Sequence, residues 1–209
     1  MHKLFFDIET LPLEKEKHHV LKELHEKLKE DGKKVGDFET MLSSTSFDGG
    51  FGRIACISYA VDDEPTKTLK GDEKQMLRDF WDIAKNIELF IGFNIMAFDL
   101  RFIYQRSIVL KVAPSKFLSF ARYRNFPIYD LMCEWINWDY NSSVSLDKLA
   151  RILDIPTSKG GDVEGKNVAK AFEDGRIDEI CVYCEKDVEV TRKIYRRMTF
   201  EGSTKDIPF

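Results

Sequence analysis

The first ten residues, MHKLFFDIET, set an unusual condition on any fold. Leu4, Phe6 and Ile8 alternate with Phe5, Asp7 and Glu9, and a strand sends alternate residues to opposite faces. One face is apolar, and the other carries two carboxylates spaced by roughly 6–7 Å of strand. Like charges that close to an apolar core are costly unless a cation sits between them. Either a divalent metal binds there or the strand lies at an edge with its polar face in water.

Length and composition narrow the class. A chain of 209 residues with 43% hydrophobic and 33% charged residues suits one large globular domain. No apolar run approaches the ~20 residues of a membrane span, and Asp7 and Glu9 break up any secretory h-region, so the chain is expected in the cytoplasm. Cys56, Cys133, Cys181 and Cys184 are too scattered for a disulfide framework and read as reduced core residues. A net charge of −4 argues against non-specific coating of nucleic acid, though not against a local basic groove.

Along the chain, residues 13–31 read as a helix with Val20, Leu21, Leu24 and Leu28 inward. His18, His19 and His25 then fall on its surface. Residues 41–52 read as a loop because of Gly49, Gly50 and Gly52. Strands are expected over 53–61, 67–70, 88–93 and 127–131, the run ELFIGF having the character of a strand buried on both faces. Helices are expected over 72–86, 98–107, from 131 to Trp138, after a Ser145 cap, and over 177–198. Asp99 just follows a buried strand, where α/β folds place their sites. Tyr183 and Asp187 share a helix face at i,i+4. From Arg101 to Tyr129 six basic residues and seven aromatics occur without an acid, the pattern of a single-stranded nucleic-acid groove.

Two tempting patterns fail. Gly160 to Lys166 spells G-x-x-x-x-G-K, but Asn167 replaces the metal-binding hydroxyl, no strand leads in, and Asp162 and Glu164 would repel phosphates. No nucleotide cofactor is therefore expected. Cys181-x-x-Cys184 lacks both a second ligand pair and an exposed helix start, so neither zinc nor redox chemistry is expected.

Three stretches in order carry a family likeness: FDIET (residues 6–10), GFNIMAFD (92–99) and YCEKD (183–187). Together they resemble the three motifs of the ribonuclease H-like DEDD-type 3′–5′ exonucleases, in the tyrosine subgroup. They are most similar to the proofreading exonuclease domains of family B DNA polymerases. The resemblance implies an α/β fold, a ribonuclease H-like mixed β-sheet flanked by helices on both faces. It implies one exonuclease domain over 1–209, with 12–50 as a helical and loop insertion. At this length there is no room for a polymerase, which points to a stand-alone form. The implied catalytic residues are Asp7, Glu9, Asp99, Tyr183 and Asp187, the four carboxylates holding two divalent ions, Mg²⁺ or Mn²⁺. Tyr183 would orient the attacking water, since a phenol with a pKa of ~10 is a poor base at neutral pH. Thr10, Leu11, Asn94 and Phe98 would contact the substrate, the 3′ end of a single-stranded nucleic acid, DNA more readily than RNA. The alternatives are an exoribonuclease using the same site and a non-catalytic nucleic-acid-binding module on the same fold.

Overall fold

The computed structural model describes residues 1–139 and 141–201. Strands β1 (Lys3–Leu11), β2 (Arg53–Val61), β3 (Lys67–Lys70), β4 (Leu89–Gly92) and β5 (Ile128–Asp130) form one mixed sheet in the order β3-β2-β1-β4-β5. The acid-bearing β1 is the central strand, antiparallel to β2 and parallel to β4. β3 pairs antiparallel with β2, and β5 parallel with β4.

The alternation within β1 decides what lies on each side. Leu4, Phe6 and Ile8 join Met76, Leu77, Phe80 and Trp81 of α3 (Glu73–Ala84) and Leu100, Phe102 and Ile103 of α4 (Asp99–Val109) in one core. Full burial of each such side chain contributes about 1.5–3 kcal/mol. Phe5 points to the other side, edge-on to Tyr195 of α8 (Ile177–Thr199), with centroids 5.4 Å apart. The face with Asp7 and Glu9 is therefore roofed by α8, and β1 is not an edge strand. Among the described residues no helix is long and apolar enough to cross a membrane.

Several local expectations change. Helix α1 (His18–Glu30) buries Leu21 and His25 while leaving Val20 45% exposed. His25 is thus an inward residue, its Nε2 2.8 Å from the carbonyl oxygen of Gly36. The inward stripe runs 21, 24, 25, 28, and the imidazole fills a place that hydrophobicity alone assigns to Val20. Residues 41–52 are only partly loop. Asp37 accepts a bond from Thr40 N and caps α2 (Phe38–Ser44), which passes into a 3-10 turn at Thr45–Phe47. The glycines described only the end of that segment.

Helices α5 (Leu131–Trp135) and α6 (Leu146–Ile152) follow, α5 shorter than expected and α6 capped by Ser145 as expected. Helix α7 (Val168–Glu173) was not foreseen; it closes a third core cluster over Leu11 and Cys56.

The basic and aromatic stretch divides into unlike parts. Arg106 is buried in a two-pronged ion pair with Glu73, and Lys116 Nζ donates to the carbonyl of Ile87. Phe102 is core, whereas Phe117, Tyr123 and Phe126 are exposed. Residues just before β5 lie at the N-terminal edge of a strand parallel to β4. Asn94 and Asp99 follow the C-terminal end of β4, at the opposite edge. The stretch therefore does not form one local face: the chain crosses from one edge of the sheet to the other.

Candidate active site

Asp7 and Glu9 sit opposite Ser58 and Cys56 of β2, and a bulge between Glu9 and Thr10 shifts the register just after them. A bulge bends the strand and re-aims the neighbouring side chains. One ligand atom each from Asp7, Glu9 and Cys184 lies within 4.8 Å of the others, closer than a flat strand would bring the two carboxylates. Cys184 belongs to α8, and its Sγ lies 3.4 Å from both the backbone oxygen and Oδ2 of Asp7. One turn along, Asp187 is 7% exposed, and its Oδ1 is buried without a hydrogen-bond partner among the described residues. An unpaired buried carboxylate oxygen is expensive.

The fourth carboxylate comes from the β4–α4 connection, a tight turn with two special positions. A Cβ on Gly92 would meet Ile95 Cγ2 at 2.1 Å and the Phe6 carbonyl at 3.1 Å, so no side chain fits there. Asn94 takes φ 61°, a left-handed conformation that asparagine tolerates better than most residues. The turn delivers Phe98 to the N-cap of α4 and Asp99 to its first position. Asp99 is 3% exposed and accepts a 3.0 Å bond from Ile8 N, the amide between the two β1 acids.

A fifth acid braces this turn. Asp130, at the end of β5 and 1% exposed, accepts from the amides of Asn94 and Met96 at 3.0 Å, and from Met132 and Cys133 at 3.1 and 3.3 Å. It ties the β4 turn to the start of α5, which is why Asn94 and Asp99 hold their places.

The electrostatics are those of gathered anions with little counter-charge, Lys159 beside Asp187 being the cation that acts on one of them. Burial, then Cys184, Asp99, Asp187 and Glu9, raise the Asp7 carboxyl well above its ordinary range. Burial, Cys184, Asp187 and Asp99 do the same to Glu9. Asp99 is pushed up to about 7, chiefly by burial, against the lowering effect of the Ile8 amide. Burial also raises Asp187, partly offset by bonds to Ser158 and Tyr183 and by the charge of Lys159. The Tyr183 phenol is held far above its ordinary range by burial and by Asp187, so at neutral pH it keeps its proton and can donate a hydrogen bond but not act as a base. An oxygen-rich site that disfavours its own charges this strongly fits a divalent cation.

Residues 49–206 match a family described as a predicted 3′–5′ exonuclease related to the exonuclease domain of PolB. The chain belongs to that family. The matched part contains Asn94, Phe98, Asp99, Tyr183 and Asp187, whereas Asp7, Glu9, Thr10 and Leu11 precede it. The structure is similar to that of the family B DNA polymerase from the hyperthermophilic archaeon Pyrobaculum calidifontis. The TM-score is 0.66 over 95% of this chain, at 15% identity. The chain spans 24% of that polymerase's length. At such identity the likeness is one of fold, and it bears out the ribonuclease H-like α/β architecture. No curated protein matches the chain in sequence.

For this PolB-related exonuclease family member, the residues expected from the sequence converge unevenly. Asp7, Glu9 and Asp99 gather beside α8, which itself carries Tyr183 and Asp187. Thr10 adjoins them, its hydroxyl donating to the Ser46 carbonyl at 2.7 Å. Leu11 is 2% exposed and packs with Val168 and Ala171 below α7, so its side chain supports the site from beneath.

Four residues escaped the sequence reading. Cys184 looked like core, Asp130 like a strand end, and Ser158 and Lys159 fell beside the rejected phosphate-loop pattern. Only Asp130 carried a local signal, an acid at the end of a buried strand that also caps the next helix. The other three matter because tertiary packing brings them to Asp7 or Asp187.

Proposed function

We propose that this protein is a metal-dependent 3′–5′ exonuclease that shortens single-stranded DNA from its 3′ end using two divalent ions. The observation that carries the reading is the buried, unpartnered Asp187 Oδ1 in a site where Asp7, Glu9 and Asp99 repel it and one another. A cation bound there would satisfy that oxygen and offset the repulsion among the carboxylates.

Asp7, Glu9, Asp99 and Asp187 would hold the divalent ions, Asp7 being central to the group. Bound there, Mg²⁺ or Mn²⁺ supplies positive charge for the attacking and leaving oxygens of an in-line displacement. The overall step is hydrolytic: a water oxygen adds to the terminal phosphorus as the P–O3′ bond breaks. A nucleoside 5′-monophosphate leaves, and the shortened strand keeps a 3′-hydroxyl. Tyr183, protonated throughout, donates a hydrogen bond that orients the water or the phosphate. Lys159 offers positive charge beside Asp187 for the phosphate group. Asn94, fixed by Asp130, contacts the strand, while Thr10 and Phe98 adjoin the terminal nucleotide.

DNA is favoured over RNA by the family's relation to a DNA polymerase domain. The test uses matched 5′-labelled DNA and RNA oligonucleotides with Mn²⁺. A ladder of 3′-shortened DNA products, absent with Asp7→Asn, supports the reading. Intact substrate with both proteins refutes it, and a ladder on RNA alone transfers the activity to the ribonuclease alternative.

A further inference from the structure

Along the chain Cys181-x-x-Cys184 fails as a metal site because it has no second set of ligands. The fold separates its two thiols and supplies what one of them lacked. Cys181 is hydrogen-bonded to Cys56, near the charge of Lys70 on the edge strand β3. Cys184, one turn on and without exposed surface, reaches β1, where its Sγ lies 3.4 Å from Asp7 Oδ2. Among the described residues, Asp7, Glu9 and Cys184 are the His, Cys, Asp or Glu side chains whose donor atoms converge, all within 4.8 Å.

A thiol hydrogen bond to Asp7 accounts for that contact taken alone. It does not account for the neighbourhood. One S–H is a weak donor, here facing two Asp7 oxygens at 3.4 Å. The buried Asp187 Oδ1, on the same face of α8 at i,i+3, still has no partner. The charge of Asp187 acts on both Asp7 and Glu9, so this oxygen belongs to the same cluster.

The dimensions suit a soft ion. With Zn–S of about 2.3 Å and Zn–O of about 2.0–2.2 Å, a tetrahedron has a sulfur–oxygen edge of roughly 3.5–3.6 Å. The 3.4 Å separation places Cys184 and Asp7 close to that edge. Mg²⁺ takes oxygen ligands, whereas a thiolate selects zinc and other soft ions. Four protein ligands also close a zinc site, because catalytic zinc keeps a position open for water or substrate.

We propose that Asp7, Glu9, Cys184 and Asp187 form a closed tetrahedral site for Zn²⁺ with Cys184 as its sulfur ligand, and that zinc held there switches the protein off. It does so by taking the carboxylates from the catalytic ions and leaving no position for water or phosphate. The thiol proton passes to solvent as the metal–sulfur bond forms. The proposal rests on the reading of these carboxylates as the catalytic metal site and adds to it a sulfur ligand and an inhibitory ion.

The experiment uses the full chain, Cys184→Ser, Cys181→Ser and Asp187→Asn, each checked for folding by circular dichroism. Co²⁺, a spectroscopic stand-in for zinc, is titrated into metal-free protein and then displaced by Zn²⁺. The parent and Cys181→Ser should show sulfur-to-cobalt charge-transfer absorption with the visible bands of a tetrahedral ion. Cys184→Ser should lose the charge-transfer band, and its Kd for zinc should rise by more than the ~100-fold that loss of an outer-shell partner reaches. Asp187→Asn should keep the band and weaken zinc binding, which tests the site even where Cys184→Ser does not fold. Digestion of single-stranded DNA is read for each protein relative to its own Mn²⁺ rate. The zinc concentration that halves it should rise with Kd in Cys184→Ser and stay at the parent's value in Cys181→Ser.

Cobalt bound to the parent without a charge-transfer band, or equal zinc affinity in parent and Cys184→Ser, overturns the sulfur ligand and leaves the exonuclease reading intact. A band lost in Cys181→Ser and kept in Cys184→Ser overturns it too. A parent that digests DNA with zinc bound at Cys184 overturns the off-state. A parent that shows the cobalt band but never digests DNA with Mn²⁺ supports the zinc site and removes the exonuclease reading.

Discussion

Replacing Asp99 by Asn should make the metal-free protein more stable, and the gain should grow with pH. Asp99 has an ordinary carboxyl value of 3.8 when unfolded and about 7 in the fold, where Asp130 and Asp187 add to the effect of burial. A folded value above the unfolded one means that ionisation opposes folding. The stability is whole below the unfolded value and is lost as pH rises through the folded one. Working the two values through linkage, ionisation of Asp99 costs roughly 2 kcal/mol at pH 5 and roughly 4 kcal/mol at pH 8. Asn cannot ionise, and its Oδ1 can still accept from Ile8 N. The variant should therefore exceed the parent by an amount that rises by roughly 2–2.5 kcal/mol between pH 5 and pH 8.

Urea unfolding in EDTA at the two pH values measures this, with the slopes required to agree between the proteins. In a chain of this length the change corresponds to roughly 4–10 °C in Tm. Adding Mn²⁺ should narrow the variant's advantage at pH 8, since an ion that binds the folded parent better adds about 2.7 kcal/mol at a hundred times its Kd. A variant advantage equal at both pH values, or a variant less stable at pH 8 in EDTA, refutes the electrostatic account of the site.

Four further outcomes follow from the same geometry. Asp7→Asn should cut kcat by about a thousandfold or more, the equivalent of ~4 kcal/mol of lost charge stabilisation, while the protein stays folded by circular dichroism. Tyr183→Phe should reduce kcat by only about 10-fold, the worth of one hydrogen bond, and should leave the Mn²⁺-induced rise in Tm unchanged. Arg106→Leu should cost about 3–5 kcal/mol in denaturant unfolding, because it strands the buried Glu73 carboxylate; adding Glu73→Gln should recover part of that. Asp130→Ala should raise KM and lower kcat together although Asp130 touches no substrate. It frees four backbone amides that now hold the Asn94 turn and the start of α5.

Much of this protein was legible along the chain because its signals are local. Alternation of Leu4, Phe6 and Ile8 follows from strand periodicity, ELFIGF from burial on both faces, and the 177–198 helix from its 3.6-residue stripe. Asp7, Glu9, Asp99, Tyr183 and Asp187 stood out as acids or a phenol beside apolar runs, and the three ordered motifs grouped them. His25 and Val20 exchanged places because an imidazole with one backbone partner packs as well as an aliphatic chain, which periodicity cannot distinguish. The α2 segment was hidden by glycines that govern only its far end.

What sequence alone determined was where all five strands and most of the helices lie, and that several carboxylates interrupt or adjoin apolar runs. The tertiary structure decided who meets whom. It set α8 over β1, so that Cys184 and Asp187 face Asp7 from 177 and 180 residues away in the chain. It used Asp130 to brace the Asn94 turn and took Arg106 out of the basic stretch to pair with Glu73. The physical reason is that strand and helix periodicities act between neighbours in sequence. Charge repulsion, burial and ring contacts act between neighbours in space, and the order of strands in the sheet selects those neighbours.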